Sequence, residues 1–218
     1  MGKYQSSEKT RQALIDAAGE LAAEDGIGFV TTRAIANHAK ENIGSIHYHF
    51  GSKEKLLHAA VYSIIERWQA KPLSDILAHT DCGTVIGQAE AVRRVIERFV
   101  ALLFDPAAPA WHSHLLYQVM QHANPLQETF RTLLLNPELD QTIMLIKTID
   151  PSLDDETAQF YYFFMITPLL FHADYKNAVL TRMDKVEYDA QYLLKLTDLS
   201  IKKMLLLFNL PQTGKIDG

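Results

Sequence analysis

Residues 31–55 constrain the fold of this chain more than any other stretch, and they read TTRAIANHAKENIGSIHYHFGSKEK. Thr31 is a hydroxyl residue that favours a helix start, and small apolar residues follow it at helical spacing. The helical pattern stops near Lys40, and Asn42 is a good N-cap for a second helix, which Gly51 ends. The segment therefore predicts two short helices joined by a tight turn, an arrangement whose second helix can enter the major groove of DNA.

The second of these helices separates into an apolar side and a polar side. Ile46 and Phe50 are four residues apart, so they share one face, which we predict to be buried. The other positions carry side chains that a core helix does not need but that a helix lying against DNA does. These positions are Asn42, Gly44, Ser45, His47, Tyr48 and His49.

Four short runs in this region resemble the DNA-binding domain of TetR-family bacterial regulators. They are Ile35-Ala36, the run NIGSI at residues 42–46, the run YHF at residues 48–50 and the run KEKL at residues 53–56. The sequence pattern NIGSI-x-YHFGSKE is also similar to that of the branch of the family related to CecR. Two positions depart from the family pattern, because Lys40 stands where the family usually has Gly and His47 where it usually has Tyr or Asn.

The resemblance implies an N-terminal three-helix domain with a helix-turn-helix over residues 1–52 and a helical effector-binding and dimerisation domain over residues 53–218. It also implies a ligand-responsive repressor that binds a palindromic double-stranded operator as a homodimer. Such a protein has a small-molecule effector, and the resemblance implies neither catalytic residues nor a cofactor. Arg33 and the second helix would face base edges or phosphates, and Lys53 would meet a phosphate. The DNA-binding residues are then Thr32, Arg33, Asn42, Ser45, His47, Tyr48, His49 and Lys53.

The charge balance limits how strongly the chain can attract nucleic acid. The whole chain has a net charge of −5, while residues 1–55 carry seven Lys or Arg and seven Asp or Glu residues. The N-terminal segment is therefore neutral, and the acidic excess lies downstream. A few cations aimed at phosphates are enough for a small DNA footprint. Because the N-terminal segment is neutral, we expect its non-specific affinity for DNA to be modest.

The cysteine content and hydropathy indicate a protein of a reducing compartment with no membrane association. Cys82 is the single cysteine and excludes an internal disulfide. No apolar run approaches the ~18 residues of a membrane helix. The longest run, residues 160–171, is interrupted by Thr167 and Pro168. We therefore expect a cytoplasmic location.

Helical patterns continue to near the end of the chain, and no strand pattern interrupts them, so the predicted fold class is all-α. Ile27 and Phe29 are expected to complete the small core of the N-terminal helices. Pro168 is expected to kink the helix that contains it. The predicted helices cover residues 6–25, 52–71, 90–103, 111–121, 125–135, 138–149, a stretch from the acidic run at 154–156 to 174, and 186–208.

Two segments, residues 160–171 and 188–208, are apolar nearly all round. A helix that is hydrophobic on every side must be buried on every side. A domain of this size can cover one face of each helix, so we predict that the other faces meet a second copy of the chain. A deep intramolecular core is the alternative reading.

The other clusters of chemically active residues give weaker indications of a functional site. His112, His114 and His122 have irregular spacing and no carboxylate or Cys at ligand distance, so we predict no metal site. Aromatic and methionine side chains could line an effector cavity or form an ordinary core. The predicted pocket residues are Trp111, His114, Tyr117, Tyr161 and Met165. A small all-helical enzyme or small-molecule-binding protein without a DNA role is the alternative function.

Overall fold

The computed structural model describes residues 2–121 and 124–212, and every regular element in this part of the chain is helical. The N-terminal α-helices are α1 (Gly2–Asp25), α2 (Thr32–His38), α3 (Ile43–Phe50) and α4 (Lys53–Gln69). The middle of the chain forms α5 (Leu73–Ala78), α6 (Val85–Leu103), α7 (Trp111–Gln121) and α8 (Pro125–Phe130), followed by a π-helical turn (Arg131–Leu135). The remaining helices are α9 (Asn136–Ile149), α10 (Asp155–Asp174), α11 (Lys176–Arg182) and α12 (Ala190–Leu207). The predicted all-α fold class is thus confirmed.

The chain divides into two compact units. Unit 1 contains residues 1–67 and 106–133, and unit 2 contains residues 68–105 and 134–218. These units are defined by packing, whereas the boundary predicted between residues 52 and 53 concerns function. That functional boundary therefore stays a prediction.

Unit 1 is organised around α1. Helix α1 packs against α2, α3 and α7, and Leu14 and Ala18 are completely buried along its inner side. Ile35 of α2 and Ile46 of α3 complete this core. The expectation for Phe29 was wrong, because its side chain is 81% exposed in the turn after α1.

The difference at Phe29 has a simple physical reason. Gly26 adopts a positive φ of 91° and ends α1, and the Phe29 N–H donates to the Gly26 carbonyl at 3.1 Å. This tight turn leaves the Phe29 ring in solvent, while Val30 is buried. Ile27 is half-buried. The short loop was therefore placed correctly, but Val30 supplies the buried apolar side chain.

A close approach between Gly19 and Trp111 fixes α7 against α1. A Cβ atom built at Gly19 would lie 2.4 Å from Cε3 and 2.5 Å from Cδ2 of the Trp111 ring. Trp111 is buried at this contact. Only a residue without a side chain lets the indole lie this close to the helix backbone.

We expect Gly19→Ala to destabilise unit 1 by about 1–3 kcal/mol, because an aromatic ring cannot bend away from the added methyl group. The gain in helix propensity, about 1 kcal/mol, offsets part of this cost. Gly28→Ala is the matched control, because a Cβ at Gly28 meets nothing within 4 Å. Urea unfolding followed by the Trp111 indole signal checks both variants, and equal stability of the two would contradict the packing described.

Unit 2 is organised around α6, which packs against α5, α9, α10 and α12. Phe99 of α6 is completely buried. Its ring lies 6.0 Å from the ring of Trp68 and 6.4 Å from that of Tyr162. Burial raises the pKa of the Tyr162 hydroxyl well above its usual range, and the Glu138 carboxylate adds to the effect.

A buried ion pair lies beside this aromatic cluster. Arg98 of α6 donates two hydrogen bonds of 2.7 Å to the two carboxylate oxygens of Glu138 on α9. The same guanidinium donates to the backbone carbonyls of Trp68, at 3.4 Å, and Lys71. It also lies 5.6 Å from the centre of the Trp68 ring. Arg98 therefore joins α6, α9 and the C-terminal end of α4.

Two helices of unit 2 begin where side-chain caps place them. Helix α6 begins at Val85, earlier than the predicted residue 90, because the Thr84 hydroxyl caps its first turn. Helix α12 begins at Ala190, later than the predicted residue 186, because the Asp189 carboxylate caps it. Helix α1 also begins earlier than predicted, at Gly2.

Two short helices and one irregular turn were not predicted. Helices α5 and α11 are too short for a helical repeat to be recognised in the sequence. The predicted helix over residues 125–135 consists of α8 and the π-helical turn. Helix α10 contains Pro168 and continues past it to Asp174.

Candidate nucleic-acid interface

Local capping interactions position the helix-turn-helix in unit 1. The Thr31 hydroxyl accepts from the Ala34 N–H at 3.1 Å and caps α2. The Asn42 side-chain oxygen accepts from the Gly44 N–H at 2.8 Å and caps α3. Gly51 ends α3 with a φ of 78°. The predicted starts of both helices and the end of the second are confirmed.

The turn between α2 and α3 contains the departure from the family pattern that the sequence indicated. Lys40 has a φ of 55°, a left-handed conformation that Gly adopts most readily. The turn is held by its neighbours, because the Glu41 N–H donates to the Ala36 carbonyl at 2.9 Å. The Glu41 carboxylate also accepts from the Thr10 hydroxyl of α1 at 2.9 Å.

Helix α3 buries one side and presents the other. Ile46 is completely buried, whereas Phe50 is half-buried, with the Arg11 guanidinium 5.6 Å from its ring centre. Tyr48 is 82% exposed, and its ring meets the half-buried His49 ring edge-on at 4.9 Å. The His49 ring therefore packs against Tyr48 and remains partly accessible at the surface.

The eight predicted contact residues all lie on α2, on α3 with its cap, or on the first turn of α4. The exposed ones are Arg33, Asn42, His47 and Tyr48, and the half-buried ones are Thr32, Ser45, His49 and Lys53. The Asn42 oxygen is used by the cap, so its amide NH₂ is the group that could donate to DNA.

The start of α4 adds cations beside α3. The Lys53 ammonium donates to the Val30 carbonyl at 3.0 Å, and its remaining two hydrogens can serve another acceptor. The Ser52 hydroxyl accepts from the Lys55 N–H at 3.2 Å. Lys55 is exposed and was not included in the predicted set. Its position on the turn that Ser52 caps is the signal that could have included it.

A protein-family model, described as bacterial regulatory proteins of the tetR family, matches residues 14–60. The match covers the second half of α1, all of α2 and α3, and the first part of α4. The N-terminal domain is therefore a helix-turn-helix domain of the TetR family. The finer resemblance to the CecR branch stays a prediction.

A curated relative matches part of the chain. This relative is the HTH-type nicotine-responsive transcriptional repressor HdnoR of Paenarthrobacter nicotinovorans, 34% identical over 62 residues. The aligned part covers 28% of this chain and 32% of the relative. The chain thus spans about a third of the length of the curated relative it matches.

Solved structures extend the likeness to most of the fold. A transcriptional regulator of Rhodococcus sp. Rha1 superposes with a TM-score of 0.58 at 20% identity, over 90% of this chain and 96% of that one. AmtR of Mycobacterium smegmatis gives a TM-score of 0.60 at 17% identity, over 89% and 85% of the two chains. At these identities the likeness concerns the fold alone.

The residues predicted to line an effector pocket fall in both units. Trp111, His114 and Tyr117 belong to unit 1, where Trp111 packs on α1. Tyr161 and Met165 belong to unit 2, where Tyr161 stacks on the Phe208 ring at 5.0 Å and Met165 is buried. Their role in effector binding stays a prediction.

Unit 2 also contains an open groove of about 830 Å³ on α9 and α10. Its apolar part is formed by Leu139, Ile143 and Met144, and its acidic part includes Asp155 and Glu156. Tyr161 and Met165 are not among its lining residues.

His112, one of the three histidines weighed as metal ligands, packs against an aromatic ring. The His112 ring meets the Trp111 ring edge-on at 4.3 Å, and burial together with the Arg67 charge lowers the pKa of His112 to about 4. His122 lies outside the described residues. Within residues 2–121 and 124–212, no group of three or more His, Cys, Asp or Glu side chains is placed to hold a metal ion.

In the same ranges no helix is long and apolar enough to span a membrane.

Proposed function

We propose that this protein is a ligand-responsive transcriptional repressor that binds a near-palindromic DNA operator as a homodimer. The observation that carries the proposal is the exposed polar face of α3 within a TetR-family helix-turn-helix domain. Ligand binding and dimerisation are typical of that family. The repressor role is supported by the relative HdnoR, which its name describes as a nicotine-responsive repressor.

The chemistry of α3 and its flanks suits a duplex. Helix α3 would lie in the major groove, where its exposed Tyr48 and His47 reach base edges or phosphates. Arg33 and Lys53 flank it with positive charge, and phosphate contacts of this kind fix the register of a protein on DNA. The half-buried Thr32, Ser45 and His49 complete the proposed contact surface together with Asn42.

Replacing Lys53 with Ala should weaken binding to every duplex by a similar factor, because a phosphate contact carries no base information. Each lost contact should flatten the slope of log affinity against log salt by about 1 unit, and therefore by about 2 units in a dimer. Lys71→Ala is the matched control, since it removes the same charge from an exposed residue of unit 2. Anisotropy titrations between 50 and 200 mM salt check the prediction, and identical slopes would remove Lys53 from the interface.

The dimer proposal rests on the outer faces of α10 and α12. These two helices pack against each other within unit 2, yet both expose large apolar side chains. Exposed apolar patches of this kind mark protein interaction sites. The exposed residues are Phe160, Phe163, Phe164, Phe171, Leu194, Leu199, Leu206 and Leu207. A second copy using the same faces would form an isologous four-helix interface.

The proposed switch uses α4 and the Arg98 network. Helix α4 begins with the proposed phosphate contact Lys53, and its C-terminal carbonyl at Trp68 accepts from Arg98. An effector can change DNA affinity only by preferring one of two conformations. An effector that favours a tilt of α4 would move α3 out of register with the operator. A coupling of about 1–3 kcal/mol would loosen operator binding ~5–150-fold.

The experiment that tests the function is an electrophoretic shift with the DNA upstream of the protein's own gene. A shuffled duplex of equal length is the control, and candidate effectors form a second series. The proposal predicts a shift of the upstream DNA at concentrations that leave the shuffled duplex free, and release by an effector. Equal binding of both duplexes, or none, would contradict it and favour a helical enzyme or ligand-binding protein without a DNA role.

A further inference from the structure

His47 is held to the end of its own helix by two hydrogen bonds to the same residue. The backbone N–H of Gly51 donates to the His47 carbonyl at 3.1 Å, which is part of the end of α3. The Nδ1 atom of the His47 ring lies 3.2 Å from the Gly51 carbonyl oxygen. The ring is exposed, so its other nitrogen, Nε2, faces solvent.

This contact determines which ring nitrogen carries the hydrogen. A carbonyl oxygen can only accept, so the His47 Nδ1 must be the donor toward Gly51. A neutral imidazole has a single N–H, and its other nitrogen is then an acceptor. The neutral His47 ring therefore presents Nε2 as an acceptor toward whatever α3 binds.

An acceptor distinguishes among base edges in the major groove. Cytosine presents the N4 amino donor there and adenine the N6 amino donor. Guanine presents two acceptors, N7 and O6, and thymine presents an acceptor and a methyl group. An acceptor nitrogen can thus pair with cytosine or adenine, whereas guanine or thymine would place two acceptors against each other.

We propose that His47 determines operator specificity by requiring an amino-bearing base, adenine or cytosine, at the base it contacts in each half-site. The inference rests on the proposed DNA-binding function and adds the base class that this chain reads. One neutral hydrogen bond changes affinity by about 2- to 13-fold. The effect should occur in both half-sites of a symmetric operator.

Selection from a random duplex pool at pH 8 tests the assignment. The parent should enrich adenine or cytosine at one symmetric pair of positions. His47→Ala should relax only this pair, and His47→Lys, which can only donate, should change it to guanine or thymine. His79→Ala is the matched control, because the His79 Nδ1 also contacts a backbone carbonyl four residues away, that of Asp75, in unit 2. It should leave the selected sequence unchanged.

The tautomer has an independent readout in the free protein. Two-bond ¹H–¹⁵N spectra at pH 8, assigned with His47→Ala, should show a pyrrole-type Nδ1 and a pyridine-type Nε2 for His47. The opposite pattern, or a parent that selects guanine at the position that His47→Ala relaxes, overturns the inference while DNA binding stands. A pool without any enriched sequence overturns the DNA-binding function and the base assignment with it, even where the tautomer is as expected.

Discussion

We expect the Glu138→Ala variant to be about 3–5 kcal/mol less stable to unfolding than the parent, because it leaves a buried guanidinium without its counter-ion. Arg98 and Glu138 are 4% and 8% exposed, so solvent cannot replace the missing carboxylate. Their pairing is bidentate, with both hydrogen bonds at 2.7 Å. Urea unfolding measures the change, and the indole signal of Trp68, which lies beside Arg98, follows unit 2 directly.

A double variant separates the missing partner from a general loss of packing. Arg98→Met with Glu138→Leu removes both charges and keeps similar volume, a replacement that is often neutral or stabilising for buried ion pairs. We expect the double variant to recover most of the stability that Glu138→Ala loses. If Glu138→Ala is as stable as the parent, or if the double variant is the less stable of the two, the ion pair does not have the role described.

We expect Leu199→Glu to separate the proposed dimer and, with it, to abolish tight operator binding. Leu199 is 57% exposed on α12, in the apolar face that would meet the second copy. Truncating a hot-spot residue near the centre of an interface costs about 2 kcal/mol or more, and each dimer contains two copies, so with Leu199 as a hot spot the loss is at least about 4 kcal/mol. This corresponds to a roughly 700-fold weaker association.

Ile86→Glu is the matched control for Leu199→Glu. Ile86 is a 73% exposed apolar residue of α6 in the same unit, outside the faces of α10 and α12. Sedimentation velocity at micromolar concentration should give a dimer for the parent and for Ile86→Glu, and a monomer or aggregate for Leu199→Glu. A monomeric parent would contradict the proposal that the chain dimerises through α10 and α12.

The helix-turn-helix could be predicted from the sequence because its determinants are local. Thr31 and Asn42 cap their helices through N–H groups two or three residues away, and Gly51 supplies the positive φ that ends α3. Such signals lie within one short stretch of sequence. Lys40 stands where the family usually has Gly, and its φ of 55° is a conformation that Gly adopts most readily.

The interactions that could not be predicted join residues far apart in the chain. Arg98 and Glu138 are separated by 40 residues, and nothing near either one indicates the other. Gly19 and Trp111 likewise meet only because α7 packs on α1, and the sequence, which placed Trp111 in the predicted effector pocket, did not indicate this contact.

Hydroxyl-radical footprinting on the selected duplex tests the central claim most directly. We expect two protected half-sites related by a dyad, with centres about one DNA turn (~34 Å) or somewhat more apart. We also expect Leu199→Glu to lose both half-sites together at the same protein concentration. A single protected site without a dyad, or equal protection by Leu199→Glu, would contradict a dimeric repressor on a palindromic operator.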